Sequence, residues 1–182
     1  MSARAPVPCA VMLSFDLRAL EARAAVVDGA LEPSDPVWAP DDPRPLGPLR
    51  VTGRLSSAGA GHFYFRGQMQ GVAAGECRRC LTDVRTPVTL DSHLVFVATD
   101  EEGADEEADA YAYDPTAGEL DLRPALREEW LLNAPAFPLC REDCRGLCPT
   151  CGADRNLAAD AGGCACQPAV DPRWAALRGA AD

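Results

Sequence analysis

Apolar and polar residues alternate over several stretches of the N-terminal half, the period of strands with one buried face. Between positions 10 and 20, Val11, Leu13, Phe15 and Leu17 alternate with Met12, Ser14, Asp16 and Arg18, which predicts a half-buried strand. Residues 28–48 carry six prolines and no clear period. They are expected to form a surface connection, with a short edge strand near Val37 and Trp38. Three strands are expected next: Leu49 to Ser56, Phe63 to Ala74 and Pro87 to Ala98, with Ser57-Ala58-Gly59-Ala60-Gly61 as the first turn. Along the third, Val88, Leu90, Leu94 and Phe96 share one face, while Thr89, Asp91 and His93 point the other way. This alternation predicts an antiparallel meander with one wet face. Tyr111 to Tyr113 reads as a further brief strand.

The period then lengthens to that of a helix. Leu122, Leu126 and Trp130 recur at i, i+4 and i+8, with Ala125 and Leu132 flanking that face. Asp121 reads as the N-cap, and Pro124 falls in the first turn, where its missing N–H costs little. The helix, 122–133, should stop near Asn133, ahead of Pro135. A short terminal helix is expected from Asp171 to Leu177, with Pro172 at its first position. Together these elements predict an α+β fold: an antiparallel, curved or barrel-like sheet, one main helix and a Cys-rich zinc-binding appendage. The expected division is 1–139 for the α+β domain and 140–182 for the appendage.

Charge changes the picture in one place. The chain has 182 residues and a formal net charge of −11, and seven of its acids fall between Asp100 and Asp109. That run is expected to be a solvated, flexible loop, the alternative being a counterpart to a basic partner. A blanket electrostatic attraction to nucleic acid is excluded, which leaves docking through a local basic patch. Met1 to Pro8 lacks the apolar run of a signal peptide, and no stretch approaches the roughly 18 apolar residues of a membrane span. Nine cysteines without a secretion signal point to a reducing, cytoplasmic setting and to metal ligation over a disulfide framework.

Six of those cysteines lie between Cys140 and Cys166, spaced C-x3-C-x3-C-x2-C-x12-C-x-C. Cys148-Pro149-Thr150-Cys151-Gly152 has the form of a zinc knuckle: Pro149 presets a tight turn, and Gly152 permits left-handed geometry after it. Cys164 and Cys166 can complete a tetrahedral site of four thiolates. Cys77 and Cys80 lie between two expected strands. They form a redox pair, a second metal group with Cys140 and Cys144, or free thiols beside a single site; the spacing does not choose. The redox reading would need a following helix, and Thr82, Asp83 and Pro87 lead into a strand instead. Arg78, Arg79 and Arg145 lie beside the cysteines, suited to phosphate contacts or to pairing with Glu76, Asp83 and Glu142. His62 and His93, the only histidines, fit a sheet surface better than a ligand set. There is no HExxH, no P-loop and no nucleophile–base pair at a recognised spacing. A site closed by four thiolates also has no open position for a metal-bound hydroxide.

The string ECRRCL, the acidic gap, DLRPALREEWLLNAPAFPLC, CRGLCPTCGADRNL, then CAC and DPRWAAL resembles the YceD family of large ribosomal RNA subunit accumulation proteins, in order from Leu49 to Leu177. The likeness falls on Cys77, Arg79 and Cys80; on Glu128 and Pro135; on Cys144, Gly146, Leu147, Cys148, Cys151 and Gly152; on Cys164 and Cys166; and on Asp171, Pro172 and Arg173. The resemblance implies a role in making or keeping 23S ribosomal RNA during large-subunit assembly. The expected function is thus a non-enzymatic assembly factor, whose partner is 23S rRNA or its precursor, or a large-subunit ribosomal protein. The rival is a thiol- or metal-dependent redox enzyme acting through Cys77 and Cys80.

Overall fold

The computed structural model of the chain describes residues 13–99, 110–157, 163–166 and 173. Cys9, the acidic run 100–109 and, save Arg173, the terminal helix expected from Asp171 to Leu177 lie outside the described residues. Two compact units divide the chain: Met1–Ala74 with Arg85–Pro135, and Gly75–Val84 with Ala136–Asp182.

In the first unit, the alternation that begins the chain yields only a short strand, β1 (Ser14–Asp16), before helix α1 (Leu17–Ala22) takes over. The Asp16 carboxylate ends the strand by accepting from the Ala19 N–H at 2.8 Å, an N-cap bond, after which Leu17 and Leu20 share the buried side. Strands β2 (Ala25–Leu31), β3 (Leu49–Gly59), β4 (His62–Glu76), β5 (Asp83–Ala98) and β6 (Ala110–Tyr113) form one sheet in chain order. A 3-10 turn (Pro115–Ala117), β7 (Glu119–Asp121) and helix α2 (Arg123–Asn133) complete the unit, with β7 antiparallel to β1.

The fold is α+β as expected, but the sheet is not closed into a barrel. β2 and β6 are its outer strands, and β6 runs parallel to β5, with Val95 opposite Ala110 and Ala98 opposite Tyr113. A tight hairpin gives only antiparallel neighbours, so a parallel β6 needs a longer connection than a two-residue turn. The wet and dry faces fall where the alternation puts them: Val88, Ser92, Leu94 and Phe96 of β5 are buried, while Thr89, Asp91 and His93 are exposed. Ser92, the polar residue on the dry side, donates to the Met69 Sδ at 3.2 Å and to Glu129 at 3.4 Å.

Helix α2 covers the dry face through Ala125, Leu126 and Trp130, all fully buried; Leu132 is 71% exposed and does not flank that side as expected. Its N-cap is Leu122, not Asp121, but the Asp121 carboxylate still serves the first turn by accepting from the Arg123 N–H at 2.9 Å. The proline-rich connection has no strand at Val37 and Trp38. It is instead pinned by the helix. Arg123 reaches Asp35 at 3.4 Å, and Arg127 grips Asp42 with two bonds of 2.6 and 2.8 Å. The Trp130 indole donates to the Pro43 carbonyl at 2.7 Å. Trp38 is itself core, 4% exposed, with its indole donating to the Glu32 carbonyl at 2.8 Å.

Candidate metal centres

The second unit carries eight cysteines, all free, gathered in two groups of four. Cys77 and Cys80, from the turn between β4 and β5, meet Cys140 and Cys144; Cys148 and Cys151 meet Cys164 and Cys166. Within each group the sulfurs lie within 4.8 Å of one another. In the first group Cys77 lies 3.8 Å from Cys144 and Cys80 lies 3.6 Å from Cys140. A disulfide would need about 2.05 Å. Four thiolates at about 2.3 Å from a tetrahedral ion lie about 3.8 Å apart, so the cluster matches the donor geometry of a structural metal site. The sequence left open whether the first four cysteines act together; the structure brings them together.

Each group is built on the same local device. In Cys77-Arg78-Arg79-Cys80-Leu81 the Leu81 N–H donates to the Cys77 carbonyl at 2.8 Å, and in Cys148-Pro149-Thr150-Cys151-Gly152 the Gly152 N–H donates to the Cys148 carbonyl at 2.8 Å. Both closing residues sit in the left-handed region, Leu81 at φ 60° and Gly152 at φ 72°. This is the turn that aims two thiolates at one point, and only one of the two copies uses the residue type suited to it. The segment between the knuckles is fixed just as tightly. Gly146, at φ 70°, passes so close to the first turn that a Cβ there would lie 2.7 Å from the Arg79 carbonyl. That carbonyl accepts from the Leu147 N–H at 3.0 Å.

Side chains around the sulfurs complete the sites. The Thr82 hydroxyl lies 3.3 Å from the Cys80 sulfur. Asn156, which the sequence gave no reason to single out, donates from Nδ2 toward the Cys144 sulfur at 3.5 Å while its Oδ1 accepts from the Arg145 N–H at 2.7 Å. Bonds to ligand sulfurs orient a site and tune its charge. Arg79 donates from Nη1 to the carbonyls of Glu142 and Cys144, at 3.1 and 2.8 Å, so that nitrogen braces the second loop. Arg78 and Arg145 are exposed and carry no side-chain bond among the described residues.

The thiols are not equivalent. The Cys77 thiol is pulled down to about 6, chiefly by the Cys140 backbone amide, with those of Arg79 and Cys80 adding to it. Cys148 falls to about 6 through the Cys151 and Thr150 amides. Burial pushes Cys140 up to about 12, and hydrogen bonding and charge repulsion from Cys151 push Cys166 up to about 12. Each cluster thus pairs a ready thiolate with one that stays protonated until a cation supplies the missing positive charge. The first group is the drier: Cys77, Cys80 and Cys144 are buried, whereas Cys151 and Cys166 are exposed. Among the described residues, no helix is long and apolar enough to cross a membrane.

Comparison with known proteins places the chain. The family model described as "Large ribosomal RNA subunit accumulation protein YceD" matches residues 65–179, and the chain belongs to that family. An uncharacterized protein of Mycobacterium tuberculosis is 37% identical over 115 residues, covering 61% of this chain and 52% of the relative. One from Mycobacterium leprae is 30% identical over 116 residues, covering 61% of this chain and 49% of the relative. The chain therefore spans about half the length of the curated relatives it matches. No solved structure matches.

Proposed function

We propose that this YceD-family chain is a non-enzymatic assembly factor of the large ribosomal subunit, acting in the cytoplasm to support the accumulation or processing of 23S rRNA. The family match over residues 65–179 carries the reading, since the family is named for that accumulation. The cysteine clusters support the non-enzymatic half. Each offers four sulfur donors, the set that closes a zinc ion off from substrate and water. Cys77, Cys80, Cys140 and Cys144 would hold one zinc; Cys148, Cys151, Cys164 and Cys166 would hold the other. The chemistry such an ion supplies is cohesion: it neutralises thiolates and fixes the loops that bear them. A redox role for Cys77 and Cys80 would need an accessible thiolate, and these residues are 0% and 8% exposed.

The partner is 23S rRNA or its precursor, contacted locally through Arg78, Arg79 and Arg145 on the metal-held loops, or a large-subunit ribosomal protein. A net charge of −11 makes any RNA contact local. Depleting the protein is expected to lower 23S RNA and large subunits relative to 16S RNA and small subunits. Balanced subunits together with loss of a thiol-dependent reaction would overturn the reading in favour of the redox enzyme.

A further inference from the structure

The exposed face of the sheet opposes two arginines. Arg54 of β3 and Arg66 of β4 are register partners, so their side chains rise side by side from the same face, with Cβ atoms about 5 Å apart. Like charges placed directly opposite destabilise a strand pair unless something answers them. Nothing described does: both residues are exposed, and no ion pair or side-chain hydrogen bond among the described residues engages either. The two acids beside the arginines on this face are engaged by other residues. Asp28 pairs with Arg50 at 3.1 Å, and Asp91 accepts from Gln68 at 3.2 Å.

Next to the arginines the face is aromatic. Tyr64 and His93 lie with ring centroids 6.1 Å apart and the tyrosine hydroxyl 2.6 Å from the His93 Nδ1, a bond that holds both rings in place. Arg54, Arg66, Gln68, His93 and Asp91, whose carboxylate Gln68 engages, line an open groove of about 590 Å³, with Tyr64 beside it through its bond to His93. Two unanswered guanidiniums beside two held rings on an exposed sheet face form the combination that reads single-stranded nucleic acid: cations for the phosphates, rings for the base faces. An acidic protein partner would use the arginines but leave the fixed Tyr64–His93 pair without a role.

We propose that this sheet face is a docking surface for single-stranded RNA, with Arg54 and Arg66 on successive phosphates and Tyr64 as a stacking platform. The proposal rests on the ribosomal reading above and adds to it a site in the first unit, separate from the cysteine loops. It also explains why an opposed arginine pair stands in an acidic chain.

The test is binding of a fluorescein-labelled oligouridine of about twelve nucleotides, by anisotropy across a salt series, to the intact metal-loaded protein. Wild type should bind with salt-dependent affinity. Arg54→Gln with Arg66→Gln should weaken binding at least tenfold and flatten the log–log salt slope by about 1.4, or about 0.7 for each lost phosphate contact. Arg54→Lys with Arg66→Lys should keep the slope. Tyr64→Leu should lose roughly fivefold or more in affinity with the slope unchanged. Arg66→Gln should unfold no earlier than wild type, since it relieves a like-charge pair, so lost binding would not reflect lost structure. An unchanged affinity and slope in the double Gln variant would overturn the proposal, whether an Arg78→Gln, Arg145→Gln variant lost binding or not. If wild type binds no RNA while depletion still lowers 23S RNA, the sheet-face proposal falls and the ribosomal reading stands, through a protein partner. If depletion leaves the subunits balanced, the reading itself falls.

Discussion

Replacing Trp130 tests the way α2 is seated on the sheet. Its ring is 0% exposed, and its Cζ3 and Cη2 atoms occupy the space over Gly71, where a Cβ would meet them at 3.0 and 3.2 Å and the Leu49 Cδ1 at 3.0 Å. Burying an indole removes roughly 150–250 Å² from water, worth about 4–6 kcal/mol at 25 cal/mol/Å². Part of this is recovered in Trp130→Ala by relaxation and by the methyl that remains, which gives a loss of about 3–5 kcal/mol. Trp130→Phe keeps most of the ring and strands the Pro43 carbonyl, for about 1–3 kcal/mol. Gly71→Ala forces a methyl into the occupied space and should cost about 1–3 kcal/mol. In the Trp130→Ala background the same methyl enters a cavity and should cost nothing or stabilise. Urea unfolding followed by far-ultraviolet circular dichroism, on all four proteins of the cycle, reads the coupling. Additivity within about 0.5 kcal/mol would refute the packing of ring on glycine, and a loss below about 1 kcal/mol for Trp130→Ala would place the ring outside the core.

Other expectations follow from the cysteine unit and the pinned loop. Metal analysis of anaerobically purified protein should find about two equivalents of zinc per chain, one for each group of four thiols; below about half an equivalent, the tetrathiolate reading fails. Cys151→Ser should remove one equivalent and leave the circular dichroism of the sheet nearly unchanged. Leu81→Gly should raise the resistance of the metal-loaded protein to chelator and heat, by about 1 kcal/mol, because it removes a left-handed non-glycine residue; a loss of metal would show that the leucine side chain matters more than its φ. The Arg127 bonds hold the Asp42 carboxyl below its ordinary range. Its contribution is therefore full above a pH of about 4 and is lost as pH falls through the depressed value. Asp42→Asn should accordingly be less stable than wild type at neutral pH, with the gap closing in acid; a gap that widens in acid would contradict the sign.

Features set by nearest neighbours along the chain were legible. The stripe Leu126 and Trp130 marked α2, and the alternation in β5 marked its dry face. The opening strand was overcalled because Asp16 carries a second message: its carboxylate caps a helix, and the i, i+3 pair Leu17 and Leu20 then competes with the alternation. The order of the proline-rich loop was illegible because its partners are remote, with Asp42 lying 85 residues from Arg127. Pairing of the cysteines was hidden for the same reason. Spacing marks a knuckle, but Cys80 finds Cys140 across 60 residues, and the bond from Asn156 to Cys144 has no pattern of its own. The parallel β6 could not be read from alternation, which is blind to strand direction.

The split ligand set of the first cluster has a bearing on how the chain is made. Cys77 and Cys144 stand 67 residues apart, so translation delivers the first knuckle long before its complement. At about 5–20 residues per second, the wait is roughly 3–13 s. For that interval β5, α2 and everything between are synthesised while an incomplete pair of thiols is exposed to whatever metal or oxidant the cell offers. Closure of this cluster is therefore a late event on the nascent chain. If the cluster takes zinc as proposed, a cell short of zinc would release chains whose sheet sequence is complete but whose clasp is open, and the supply of finished protein would follow the zinc supply with the delay of a single round of synthesis.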